Sequence, residues 1–531
     1  MSFKSRNGVV YTPDQVSKAV IENLRARDQR GSLEVLEPSA GDGSFLRALR
    51  GSLPNFRVTA VDKSKWAYKT LVSDYPDVSC LHSDFLSWQQ ASANSQFDWV
   101  VGNPPFVRHS SLTKLSKRSV SKLQQLRPDL PFNLSNLWAA FLVAALDALR
   151  PNGLLAFVLP YELLGNRYGK SIQRWLNAEI GSVDIYISKT RAFLGIDQDA
   201  IVLVVEKTEL HRHFKIHLVD SLADIGDRCS IHASADVKAG CPISHQKLLL
   251  TTEALELVDR LSNALPKLAD ITESSAGIVT GANSYFIQPM SVWEERGLDM
   301  WARPIVQKVS DLDGKYSIEE SDLRAWTEAG DVKAVLDFNN EVLEDLTDEA
   351  LDYLAALTDA KVDKRYKCST RPLWYQVPML DAAPLYFFKR SHKRLRFVRN
   401  RTKMLTTDGG YRVYPGPGYS PDGVFYSFHN SLTYLMSEVH GRFYGGGVLE
   451  LTPSEFRSLP IAYEVPTTDQ LIKFEKKLSE YGQSSEDRFG DGDRALRRRL
   501  QLTEDQLATL QKAHVVVQKH RLRHGRSSIG S

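Results

Sequence analysis

From Leu33 to about Lys207 the chain alternates short apolar runs with segments whose apolar residues recur at helical spacing. That alternation is the signature of a doubly wound α/β sheet, with helices crossing over between strands. Seven strands are expected: Leu33–Pro38, Arg57–Asp62, Val78–His82, Trp99–Gly102, Leu154–Pro160, Ser182–Ile187 and Ala200–Glu206. Ser135–Arg150 reads as a crossover helix that stops at the breaker cluster Pro151-Asn152-Gly153. No helical pattern separates Ile187 from Ala200, so the last two strands are expected as antiparallel neighbours in a mixed sheet.

At 531 residues the chain exceeds one ordinary core, and two substantial domains are expected. Residues 1–240 hold the sheet, with a polar connector around Leu210–Ser244. Residues 241–466, richer in loops, aromatics and basic clusters, read as a mixed α+β domain. Residues 467–531 read as a charged helical segment, with helices at Leu471–Tyr481 and Glu504–His520 ahead of a disordered basic tail. No apolar run approaches the roughly 20 residues of a membrane span, which argues against a membrane partner. The N-terminus lacks the apolar stretch of a secretory signal, which points to the cytoplasm. The cysteines, Cys80, Cys229, Cys241 and Cys368, lack the close spacing of zinc or redox sites, so no metal is expected. A net charge of +3 argues neither for nor against nucleic acid.

Four strand ends carry the chemistry. The first runs into Ser39-Ala40-Gly41-Asp42-Gly43-Ser44, where two glycines allow a tight turn and close approach of backbone to a nucleoside-like ligand. A dinucleotide fingerprint wants a third glycine where this chain has Leu46, and Glu37 would face a pyrophosphate unfavourably. A cationic sulfonium cofactor tolerates that carboxylate; a purely structural strand-to-helix turn is the alternative. Asp62, ending the second strand, stands where an acidic side chain reaches ribose hydroxyls, or else caps the following helix. Asp84 and Phe85, after the third strand, suit an adenine amino group and its ring, or form a simple loop.

The fourth strand ends in Asn103-Pro104-Pro105-Phe106. Two prolines fix the backbone and lack N–H donors, so the carbonyl of Pro104 and the side chain of Asn103 are able to point at one amine. Accepting both protons of a planar exocyclic amine draws its lone pair out of ring conjugation and makes it nucleophilic towards a methyl group held in line. Phe106 supplies a stacking face for a base, which must be extruded from a duplex to be reached.

These residues carry a family resemblance. Asn103–Phe106 resembles the catalytic motif of amino-group methyltransferases, Val35–Leu46 resembles their cofactor motif, and Gly8-Val9-Val10-Tyr11-Thr12-Pro13 resembles the first motif of gamma-class, TaqI-like DNA adenine-N6 methyltransferases of restriction–modification systems. The resemblance implies a Rossmann-like domain binding S-adenosyl-L-methionine, followed by a target-recognition domain for double-stranded DNA. It implies cofactor contacts from Tyr11, Thr12, Pro13, Glu37, Pro38, Ala40, Gly41, Gly43, Asp62, Asp84 and Phe85, and catalytic roles for Asn103, Pro104, Pro105 and Phe106. It also places Phe193, in Arg191-Ala192-Phe193-Leu194, against the flipped base. Thr12, Pro13 and Gln15 make equal sense as a helix-start capping box. More loosely, Gly277–Asn283 and Arg371–Tyr375 resemble segments of the family's recognition domains.

Two basic stretches fit a nucleic-acid partner: Lys389–Arg401, as an element facing phosphates or a solvated face, and the segment after the catalytic turn with Lys114, Lys117, Arg118, Lys122 and Arg127, read as a loop that orders on DNA. Rival readings are a protein-glutamine N5 methyltransferase, a cytosine-N4 DNA methyltransferase and a catalytically silent DNA-binding specificity protein. A cytosine-C5 enzyme needs a thiolate near the turn, where no cysteine lies. About ten residues precede the Tyr11 motif, so a cognate restriction endonuclease is expected on a separate chain, and the protein itself is expected to be a monomer.

Overall fold

The computed structural model describes residues 11–92, 95–165, 167–190, 200–209, 212–226, 233–236, 245–393, 395–444, 447–480 and 489–522. Its contacts form two units: one is the chain up to Leu249 with Arg442–Gly447 and the chain from Lys519, the other Leu250–Gly441 with Val448–Gln518.

The first unit is built on one sheet: β1 Leu33–Glu37, β2 Phe56–Asp62, β3 Ser79–His82, β4 Phe97–Gly102, β5 Leu149–Pro160, β6 Ser182–Ser188, β7 Ala200–Glu206, β8 Phe214–Val219 and β9 Ala233–Asp236. Their order is β3-β2-β1-β4-β5-β7-β6-β8-β9. Strands β1 to β5 pair in parallel, while β7 runs antiparallel to both β5 and β6. The seven expected strands are therefore joined by two more. What reads as a polar connector contains Phe214, Ile216 and Leu218, all buried in the core under the sheet, and they lock β8 in parallel register on β6 from Val183↔Phe214. The intervening Lys215 and His217 give the segment its polar texture, although the two-residue alternation is a strand signal.

Six helices precede or connect the first five strands: α1 Asp14–Arg27, α2 Ser44–Ser52, α3 Lys65–Asp74, α4 Phe85–Ala91, α5 Lys114–Leu126 and α6 Leu137–Asp147. Helix α6 is the expected crossover and is buried on every side from Leu137 to Leu146, as an all-apolar helix must be. The breaker Pro151-Asn152-Gly153 lies inside β5 rather than before it: Asn152 takes a left-handed φ of 57°, and the pairing with β4 shifts register between Phe97 and Trp99. Apolar cores lie on both sides of the sheet, which explains the unbroken apolar runs of β5 and β7. In the order 3-2-1-4 the chain reverses direction of travel between β1 and β4, and a crevice opens at the carboxyl ends of those strands.

The second unit has a five-stranded sheet of 272–276, 410–415, 385–388, 396–400 and 317–318, and a four-stranded sheet of 287–289, 333–336, 302–306 and 405–406. Phe387, Phe397, Phe428 and Phe456 pack ring against ring in its core, with Phe387 and Phe456 stacked at 4.4 Å. The helices expected beyond residue 467 form at Thr468–Glu480 and Glu504–Leu522, with another at Gly490–Leu500. The first and last-named belong to this unit by specific bonds: Glu475 pairs with Arg399, and Asp493 accepts from the Ser431 backbone N–H at 2.7 Å. Among the described residues no helix is long and apolar enough to cross a membrane.

Candidate active site

The turn after β1 needs its glycines. Gly41 and Gly43 take φ values of 56° and 78°, where a side chain is strained. At Gly43 a Cβ would also meet the Tyr75 ring at 2.9 Å, whereas at Gly41 it would make ordinary contact with the Tyr11 ring at 3.5 Å. Asp62 braces this turn: one carboxylate oxygen accepts from the Gly41 N–H at 2.9 Å and the other from the Ser64 N–H at 2.7 Å. The cap of α3 is Ser64, which accepts from the Ala67 N–H, so the alternative of Asp62 as helix cap is not what forms.

Tyr11 and Thr12 reach the same turn from the other side. Helix α1 starts at Asp14 with Pro13 at its cap position and without a side-chain cap, so the expected capping box is absent. Thr12 is instead buried against the cavity. Arg47 ties the pieces together by pairing with Asp14 at 2.8 Å and Asp42 at 3.2 Å. Burial, with Asp42 and Asp62 nearby, pushes the Tyr11 phenol up.

Glu37 is the unusual group. It is 1% exposed, and its Oε2 is buried without a partner among the described residues. Burial first, and then the negative charges of Asp42 and Asp62, hold its carboxyl well above the usual carboxylate range. A carboxylate so placed is complemented by a cation entering the cavity, and repels a phosphate.

At the end of β3, Asp84 caps α4 by accepting from the Ser87 N–H at 3.1 Å through Oδ1. Asp84 is therefore a helix cap and not part of a simple loop, and it lines the cavity as well. Phe85 is buried beneath, its ring 5.0 Å from that of Phe141 on α6. The Asn103–Phe106 turn leaves β4 at Gly102, where a Cβ would stand 3.4 Å from Pro38. Ser39 donates to the Asn103 carbonyl at 3.0 Å, clamping this turn to the glycine turn. The Pro105 carbonyl accepts from the Val107 N–H at 3.1 Å, and the Val107 carbonyl from the Leu137 N–H at 2.9 Å, so the turn is fixed to the start of α6.

One cavity collects these side chains. Tyr11, Thr12, Glu37, Pro38, Ala40, Gly41, Asp62, Asp84, Phe85, Asn103, Pro104, Pro105 and Phe106 all line it. Pro13 and Gly43 stand just outside, at the caps of α1 and α2. Phe193, Cys229, Cys241 and Gly8–Val10 lie outside the described residues. Lining residues that the sequence did not single out include Ser39, Asp42, Lys63, Leu137 and Phe141. The first two sit within the glycine turn itself. Leu137 and Phe141, one helical turn apart on α6, arrive from a separate element and carry no local signal.

The basic run Lys389–Arg401 behaves differently from expectation. Arg399 is 3% exposed and pairs with Asp422 and Glu475 at 2.5 Å each. Arg390 pairs with Glu450, Lys389 with Asp408, and Arg401 with Glu319 and Asp422, while Arg396 donates to the Gly314 carbonyl and covers the Tyr316 ring. Most of its charge is therefore matched inside the second unit. The segments Gly277–Asn283 and Arg371–Tyr375 do meet: Arg371 donates to the carbonyls of Val279 and Thr280 at 3.0 and 2.7 Å.

The braced glycine turn, the cation-seeking Glu37 and the rigid Asn-Pro-Pro-Phe turn on one crevice define an S-adenosylmethionine-dependent methyltransferase. Within that class the chain belongs to the restriction–modification methyltransferases. The family model "Eco57I restriction-modification methylase" matches residues 59–191, and "Type II methyltransferase M.Eco57I, C-terminal domain" matches 244–487. Over 471 residues the chain is 22% identical to type II methyltransferase M.XamI of Xanthomonas campestris pv. amaranthicola, covering 86% of this chain and 85% of that protein. Type II methyltransferase M.AccI of Acinetobacter calcoaceticus is 20% identical over 423 residues, covering 74% and 73%. Among solved structures, the type IIG restriction endonuclease BpuSI covers 98% of this chain and 67% of its own at 16% identity, with a TM-score of 0.45.

Proposed function

We propose that the chain methylates N6 of an adenine flipped out of duplex DNA, and so protects host DNA from a cognate endonuclease on a separate chain. The observation that carries this reading is the Asn103–Phe106 turn, clamped by Ser39 at the edge of the cavity that Glu37 and the glycine turn form.

S-Adenosylmethionine supplies, when bound, an electrophilic methyl group on a sulfonium centre. Glu37 would accept its cationic end, and Gly41, Tyr11 and Thr12, which line the same cavity, would contact it, with Pro13 beside them at the cap of α1. The second lone pairs of the Asp62 carboxylate suit ribose hydroxyls, and Asp84 and Phe85 suit its adenine. On the substrate side, the Asn103 side chain and the Pro104 carbonyl accept the two protons of the target amine. The Asn103 carbonyl accepts from Ser39 and the Pro105 carbonyl from Val107, which favours the carbonyl between them, that of Pro104, as the backbone acceptor. Localising the lone pair would make the amine nitrogen the nucleophile: as its bond to the methyl carbon forms, the carbon–sulfur bond would break with its electron pair left on a neutral thioether sulfur, and the methylated nitrogen would then give one proton to water, so no dedicated base is needed. Phe106 stacks on the extruded base, and Phe193 is assigned its opposite face. Residues 241–466 are assigned to target recognition, with the protein acting as a monomer.

The test is transfer of labelled methyl from S-adenosylmethionine to unmethylated duplex DNA, followed by nucleoside analysis. Labelled N6-methyladenine is expected, with Asn103→Ala slower by about 10²–10³ in kcat because one preorganised acceptor is gone. N4-methylcytosine keeps the chemistry and changes the base. Absence of transfer to several unrelated DNAs would overturn the reading in favour of a protein amide or a silent binder.

A further inference from the structure

Of the two basic stretches in the sequence, pairing inside the fold distinguishes which is available to a partner. The run at 389–401 is largely spent on internal carboxylates. The stretch after the catalytic turn is not. From Asn103 to Pro128 the sequence contains no acidic residue but six lysines and arginines. The segment read as a loop is helix α5, capped by Thr113 accepting from the Ser116 N–H. Its inner face, Ser116, Ser119, Val120 and Leu123, is buried. Ser87 on α4 bonds the Ser119 hydroxyl at 2.9 Å, and Gln90 donates to the Ser119 carbonyl at 3.0 Å. Helix α4 is the one that Asp84 of the cavity caps, so α5 is fixed rigidly beside the site.

The outer face of α5 carries Lys114, Arg118 and Lys122 at i, i+4 and i+8, all exposed. None of the three has a hydrogen-bond or ion-pair partner among the described residues. Lys117 and Arg127, by contrast, are occupied: Lys117 donates to the Ser110 carbonyl, and Arg127 pairs with Asp129 and Asp147. Like charges at this spacing repel one another and disfavour the helix unless an anion faces them. Lys114 to Lys122 spans about 12 Å of helix axis. Over that length one DNA strand presents about four phosphates, at roughly 3.4 Å each.

We propose that the outer face of α5 is a preformed phosphate-binding ridge, on which Lys114, Arg118 and Lys122 hold the DNA backbone next to the extruded nucleotide. This rests on the DNA reading above and deepens it. A ridge of this kind positions the duplex without reading its sequence.

The test uses the full chain and the triple variant Lys114→Gln, Arg118→Gln, Lys122→Gln, titrated with a mixed-sequence unmethylated duplex over a range of salt. Affinity is expected to fall for every sequence alike, and the slope of log affinity against log salt to shrink by about 2.7, roughly 0.9 for each phosphate no longer neutralised. S-Adenosylmethionine affinity stays unchanged, and Arg118→Lys alone keeps the slope. A triple variant that binds cofactor normally and keeps the full slope overturns the ridge and leaves the DNA reading standing. A wild-type chain that binds no duplex overturns both. Amine acetylation of the wild-type protein gives a second readout that needs no variant: duplex protects Lys114 and Lys122 if the ridge is real, and leaves both reactive if it is not.

Discussion

On the proposed reading, Glu37 is where a single side chain ties stability to cofactor binding. Its carboxyl is held up by burial and by Asp42 and Asp62, so the folded protein keeps the proton at pH values where the unfolded chain has lost it. The free protein is therefore expected to lose stability as pH rises from the ordinary carboxylate value towards the raised one. A cationic cofactor favours the ionised form, so binding releases a proton and affinity increases with pH across the same window. Calorimetry in two buffers of different ionisation enthalpy measures that proton. Glu37→Gln is expected to stabilise the free protein at neutral pH, flatten the pH dependence, and weaken cofactor binding by about 1.5–3 kcal/mol, the worth of a charged hydrogen bond. Unchanged affinity in that variant would mean that the cation sits elsewhere. The sequence pointed to Glu37 as a carboxylate facing the ligand, but its burial and missing partner belong to the assembled cavity.

At the scale of elements, the glycine turn separates backbone strain from crowding. Both glycines are left-handed, yet only at Gly43 does an added Cβ run into an aromatic ring. Gly41→Ala is expected to cost about 1 kcal/mol, from strain alone. Gly43→Ala costs more, about 2–3 kcal/mol, since Tyr75 or α2 must move. Denaturant unfolding of the two variants checks the order; equal losses would show that Tyr75 gives way freely. This turn was legible because its glycines are local necessities. Strand β8 was not read, because a segment with alternating Lys and His looks polar until its other face meets a core. The helix α5 was read as a loop for a related reason: its long basic face hides the four buried positions that fix it.

Across the whole molecule, long-range ion pairs decide what a charged sequence does. Arg399 joins the strand at 396–400 to the helices Pro421–Phe428 and Thr468–Glu480, which lie up to 76 residues away. Its side chain is 4% exposed, with Glu475 at 19% and Asp422 at 40%. Removing it strands the better-buried Glu475, so Arg399→Ala is expected to cost about 3 kcal/mol, at the low end for a buried pair. Pairing Arg399→Met with Glu475→Leu should recover much of that loss. A cost below about 1 kcal/mol in denaturant unfolding would class the pair with exposed ones.

What the sequence determined by itself is the chemistry that lies in contiguous residues at strand ends. A braced turn needs Gly41 and Gly43, a rigid turn opening on an amide needs Asn103 and its prolines, and both must follow apolar strands, so a short stretch of chain contains the whole signal. What only the tertiary structure decided is partnership. Arg399 and Arg118 are both arginines in basic runs, and nothing local tells them apart. Asp422 and Glu475, brought in by the fold, bury one charge, while no carboxylate reaches the other among the described residues. Whether a charge is matched depends on residues far away in the chain, because Coulomb energy follows distance in space rather than in sequence.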